Sequence, residues 1–173
     1  MHTLHYWLVE AEDKEQAFHN VQNTLLNDEG DRFVEWSDWH VVGGGRWSNS
    51  QYEDSSDMIV SYADETDKFD KIITDIKSAR VKEMQDVMSK IDTDKFISNM
   101  VDYISNNASA GDRRFDMNEY YIKSACDLMS ERYNPSSYFY DRVGYTASMD
   151  YIKEHLDTKN PAMLFLVPID FHF

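Results

Sequence analysis

Met163-Leu164-Phe165-Leu166-Val167-Pro168-Ile169-Asp170-Phe171-His172-Phe173 decides how this chain folds. From Met163 to Val167 every position is apolar, the mark of a strand buried on both faces near the centre of a sheet. Beyond Pro168, the apolar Ile169, Phe171 and Phe173 alternate with Asp170 and His172, which predicts a strand with one wet face. A proline removes one donor from the ladder, so a bulge or a sheet edge is expected at Pro168.

Thr3-Leu4-His5-Tyr6-Trp7-Leu8-Val9 has the same character, rich in β-formers with apolar groups on both alternating faces, and reads as a first strand near the sheet centre. Asp13 then supplies an N-cap, with Gln16 three positions on, and Ala17, Val21 and Leu25 form a helical stripe able to lie on that strand. The order repeats further along. Asp57 to Tyr62 reads as a strand, and Asp64 to Lys90 places Phe69, Ile72, Ile73, Ile76, Met84, Val87 and Met88 at helical spacing. Between these units, Phe33 to Trp47 reads as an extended segment ending in the turn Gly43-Gly44-Gly45. Thr93 and Asp116 each open a further helix, the second stopping before Asn134-Pro135 because the residue before a proline avoids the helical region.

These elements predict an α+β fold: a ferredoxin-like, mainly antiparallel sheet with helices on one face and a helical insertion. Residues 1–173 are read as a single domain, with a core of about 1–91 plus 145–173 and an insertion of about 92–144.

Thirty-two acidic residues against seventeen basic ones leave a net charge of −15. Such a field repels nucleic acid phosphates and attracts basic partners. Eleven Tyr, nine Phe and four Trp argue against a disordered acidic chain, so the acid is displayed on a folded scaffold. That aromatic content also exceeds what one small core comfortably hides, which leaves a homodimer open. The longest apolar run, Ala162 to Val167, falls far short of the roughly 20 residues that span a bilayer, so no membrane partner is expected. One cysteine, Cys126, and an amino-terminal stretch without a basic start and apolar run point to a reducing, cytoplasmic setting.

Chemistry-bearing patterns are sparse. The six histidines lack the i, i+4 spacing of a zinc helix, so no metal or cofactor is expected. In Gly43-Gly44-Gly45-Arg46, consecutive amides can converge on an anion, Arg46 can add a bidentate contact, and Asp38 or His40 can serve as acid or base. We read the loop first as a structural turn, because no phosphate-loop or dinucleotide fingerprint accompanies it and the flanking tryptophans suit a core. The acids come in bursts, from which Glu53, Asp54, Asp57, Asp64 and Glu65 are taken as interaction candidates. The ring-bearing Tyr133, Tyr138, Phe139 and Tyr140 join them as anchors.

The segment from Trp36 to Trp47, with its Gly-Gly-Arg-Trp ending, resembles small uncharacterised proteins of tailed bacteriophages, and Pro168-Ile169-Asp170-Phe171-His172 resembles how such proteins finish. That resemblance implies a phage protein in the host cytoplasm, with a counter-defence role, anti-restriction or anti-BREX, as one prospect. The expectation is therefore a non-catalytic acidic phage protein, not an enzyme, that binds and inhibits a host defence protein with a basic surface and does not touch nucleic acid directly. Two alternatives stand beside it: a DNA mimic filling a nucleic-acid-binding groove, and a nucleotide-binding enzyme built on the glycine loop.

Overall fold

The computed structural model describes residues 2–26, 37–49, 53–105, 116–129, 139–140, 154, 156–157 and 159–172. The chain divides into two compact units, one of residues 1–77 with 135–173 and one of residues 78–134.

The first unit is built on β1 (His2–Glu10) and β5 (Leu164–His172), which pair antiparallel along their whole length, from His2 opposite His172 to Glu10 opposite Leu164. The far edge of β5 is shared by two short strands in tandem. β2 (Trp39–Val42) pairs with its carboxy-terminal half and β3 (Val60–Ser61) with its amino-terminal half, both antiparallel. β4 (Phe139–Tyr140) adds to β1 in parallel.

Of the bulge or sheet edge expected at Pro168, the structure has the edge, and Pro168 leaves the β1–β5 register unbroken. It lies opposite Tyr6 of β1, and its carbonyl accepts from the Gly43 amide at 2.7 Å, where β2 has ended and β3 has not begun. Its missing N–H points to that same edge, because amide and carbonyl of one strand residue face the same neighbour. The gap between the two edge strands is thus where the absent donor falls.

Apolar residues on both faces of β1 and β5 are explained by cover on both sides. α1 (Lys14–Leu26) packs Ala17, Phe18, Val21 and Leu25 on Trp7, Phe165, Val167, Ile169 and Phe171. The opposite face carries Leu8, Leu164 and Leu166, on which α2 (Thr66–Met88) lays Phe69, Ile72, Ile73 and Ile76. Each fully buried side chain of this kind contributes about 1.5–3 kcal/mol. The α+β class and the mainly antiparallel sheet are as expected. Two finer expectations are corrected: helices cover both faces rather than one, and β2 and β3 both add to β5, so the strand order β2-β5-β1-β4 is not ferredoxin-like.

α1 begins as its sequence predicts, with the Gln16 amide donating to Asp13 Oδ1 at 2.8 Å and the Glu12 amide donating to Gln16 Oε1 at 2.6 Å. The expected strand over 57–62 shrinks to two residues, Asp57 and Met58 forming a turn before it.

The second unit holds the end of α2, then α3 (Thr93–Ser105) and α4 (Met117–Met129). Asp92, not Thr93, caps α3, since its Oδ1 accepts from the Lys95 amide at 2.9 Å. Buried Asn118 joins the helices: its Oδ1 accepts from the Asp92 amide at 2.7 Å and its Nδ2 donates to the Asp92 carbonyl at 2.8 Å. Asp116 accepts from the Asn118 amide at 2.9 Å, from Asn99 at 2.6 Å and from Lys95 at 3.3 Å. These bonds, the Asn118 amide first, hold its carboxyl below the usual range.

Candidate functional site

At the carboxy-terminal end of β5, α2 no longer covers the sheet, and the polar residues His2, Asp170 and His172 occupy that face. The glycine turn takes the helix's place. Asp170, expected on a wet face, is completely buried beneath it. Its Oδ2 accepts from the Arg46 amide at 3.0 Å, and His2 Nδ1 lies 3.0 and 3.2 Å from its two oxygens. A carboxylate only accepts, so Nδ1 carries the proton in this pair.

This explains the three glycines. Gly43, Gly44 and Gly45 all adopt positive φ, at 97°, 100° and 47°. A side chain on Gly45 would run into the Asp170 carboxylate, and one on Gly43 into the Ser55 backbone. The amides of Gly43, Trp47 and Ser48 are bonded to Pro168, Gly44 and Gly45 carbonyls. The amide contact this loop makes with a carboxylate is that of Arg46 with the chain's own Asp170.

Around this anchor stands an aromatic group. Trp39 stacks on His172 with centroids 5.0 Å apart and planes 8° from parallel, and His2 meets Trp39 and Trp47 edge-on at 5.3 and 6.2 Å. The Arg46 guanidinium lies 5.7 Å from the Trp47 ring centre, and Asp38 approaches His172 Nδ1 to 3.3 Å. The tryptophans expected as core anchors remain 38% (Trp39) and 43% (Trp47) exposed.

The residues of the alternative loop site do not converge. His40 tilts onto Phe171 at 5.9 Å, on the face of the sheet opposite Asp170 and the Arg46 amide. Burial pushes its pKa down, against a smaller upward pull from Asp54. Among the acidic candidates, Asp54 is structural: its Oδ1 accepts from the Val42 amide at 2.9 Å and its Oδ2 from Gln22 at 2.8 Å. Glu65 pairs with Lys14 at 2.9 Å and Lys68 at 3.1 Å, the Lys14 bond chiefly lowering its pKa. Glu53, Asp57 and Asp64 are exposed. Tyr133 and Tyr138 lie outside the described residues, while Phe139 and Tyr140 form β4 beside Tyr6 and Trp7.

A second surface lies in the helical unit. On α3, Ile97, Val101 and Ile104 fall on one stripe at i, i+4 and i+7, and all are exposed, Ile104 by 70%. Val81, Met88, Met117, Tyr120 and Met129 are exposed in the same unit. Arg80, Val81, Met84, Gln85 and Leu128 line a groove of about 300 Å³. Residues 78–134 hold ten acidic and eight basic side chains, whereas the sheet unit holds twenty-two and nine.

Residues 29–125, more than half of the chain, match the model of the family described as D5 N terminal like. The chain belongs to that family. D5 N terminal like domains occur in phage and viral primase-helicase-like proteins, so this D5 N terminal like chain is phage-type. Membership carries neither an enzymatic activity nor its absence. No curated protein and no solved structure matches the chain. Among the described residues, no three His, Cys, Asp or Glu side chains gather as metal ligands, and no helix is long and apolar enough to cross a membrane.

Proposed function

We propose that this protein is a non-catalytic phage module that works by holding another protein, with the exposed apolar stripe of the helical unit as the contact. The exposure of Ile97, Val101 and Ile104 together on one side of α3 carries the reading. Single apolar side chains on a surface are ordinary, but a stripe with Val81, Met88, Met117, Tyr120 and Met129 exposed in the same unit is the composition of a docking surface. The acid of the sheet unit supplies the field that favours a partner with a basic surface and speeds its encounter.

The narrower reading makes that partner a host defence protein of the restriction or BREX-like kind, met in the host cytoplasm and inhibited. Its support is the net charge and the likeness of the Trp36–Trp47 segment to tailed-phage proteins. DNA mimicry has less support, because the helices that expose the stripe carry nearly balanced charge.

Affinity capture from host lysate, run in parallel with the wild-type chain and an Ile97→Asp/Ile104→Asp variant, tests the proposal. The expected result is one stoichiometric protein that the wild type retains and the variant loses. A wild type that is monomeric by light scattering and captures nothing, at low as well as physiological salt, overturns it. A wild-type dimer that the variant abolishes would make the partner a second copy of this chain.

A further inference from the structure

The aromatic group over Asp170 has a chemistry unlike the docking helices. Two half-exposed indoles, Trp39 and Trp47, stand with His2 edge-on to both, and Arg46 lies over Trp47. Asp38 Oδ2 lies 3.3 Å from His172 Nδ1, and the Arg46 guanidinium brings a permanent positive charge to the patch. We propose that this patch binds one unpaired nucleobase together with its phosphate, the base stacking on an exposed indole and the phosphate meeting Arg46.

Three features favour that ligand. Trp39 already takes a flat ring, His172, at 5.0 Å and 8°, so the geometry for parallel stacking is in place. A cationic ligand would meet the Arg46 guanidinium beside the indole, whereas a base tolerates it and a phosphate is drawn to it. The support is also rigid: Asp170 fixes His2 through Nδ1 and the loop through the Arg46 amide, and three glycines hold the turn in conformations open to few other residues. A preformed site spends little of its binding energy on ordering.

The ligand must be unpaired. A duplex hides its base faces and carries dense phosphate, which a chain at −15 repels. A single strand offers π-faces to the indoles, and stacking is tolerant of sequence. Because stacking carries the binding and the acidic chain opposes the phosphates, added salt leaves the affinity unchanged or tightens it, the reverse of ordinary nucleic acid binding. This site is separate from the protein-docking stripe and stands or falls apart from it.

Titration with a single-stranded oligothymidylate, followed by tryptophan emission, is the test. Saturable quenching is expected, with no weakening at high salt. Trp47→Ala should bind about tenfold more weakly, and Arg46→Gln several-fold more weakly. Both side chains are exposed, so both variants should keep the wild-type thermal unfolding profile; Trp39→Phe serves if either does not. The proposal is overturned by the absence of saturable quenching at either salt, by unchanged affinity in folded Trp47→Ala, or by equal binding of a duplex of the same length.

Discussion

The two units of this chain differ in charge and in how far their apolar side chains are covered. The sheet unit buries Trp7, Phe69, Phe171 and Ile169 almost completely and carries nearly all the acid surplus. The helical unit is close to electrically balanced and, among the described residues, leaves eight large apolar side chains exposed. Surplus charge and exposed apolar area thus need not coincide in one chain: the acid lies with the sheet unit, and the helical unit offers the apolar area.

Changes on the two units should therefore have very unequal effects. The largest is expected at Trp7, which is 2% exposed and central to the α1 side of the sheet. Trp7→Ala should cost about 3–5 kcal/mol in chemical denaturation. Gly45→Ala comes next, at about 2–4 kcal/mol, combining a left-handed backbone with a Cβ pressed on the Asp170 carboxylate. A loss below about 1 kcal/mol there would mean the turn can move off Asp170.

A pH effect also belongs to the sheet unit. Burial lowers the pKa of His5 from 6.5 to about 3. Between those values the unfolded chain binds a proton that the folded chain refuses, so stability falls as pH drops through that window. The slope approaches about 1.4 kcal/mol per pH unit, or roughly 2–3 kcal/mol over two units. Denaturation of wild type and His5→Phe across this range should differ in slope, the variant being flatter.

In the helical unit the expected effects are smaller. Asn118→Ala removes both bonds to the Asp92 backbone and should cost about 1–2 kcal/mol, read as an earlier loss of helical signal. An equally large effect from Ile104→Ala would erase the contrast between the units.

Much of the fold was legible because periodicity reports burial. The apolar run at Leu164–Val167 and the mixed faces of Thr3–Val9 are the two central strands, and Asp13 with Gln16 starts α1. What the sequence hid depends on contacts far apart in the chain. Alternation makes Asp170 read as solvated, and only a turn 125 residues earlier, closing over it through Gly45, buries it. The pairing of His2 with Asp170 was equally illegible, since no local spacing links positions 168 residues apart. The glycine triplet was legible as a tight turn; that the turn closes over Asp170 could not be read from it. The apolar stripe of α3 was visible as a helix face, but whether such a face is covered is decided by packing rather than by period.

If Ile97, Val101 and Ile104 serve a partner, as proposed, the fold does not need them. Replacing all three by Asp and measuring thermal and denaturant unfolding by circular dichroism tests it most directly. Helix content should be unchanged and stability within about 0.5 kcal/mol per site of wild type. A loss of helix, or of more than about 2 kcal/mol per site, would show that these side chains are packed within the molecule and contradict the docking role.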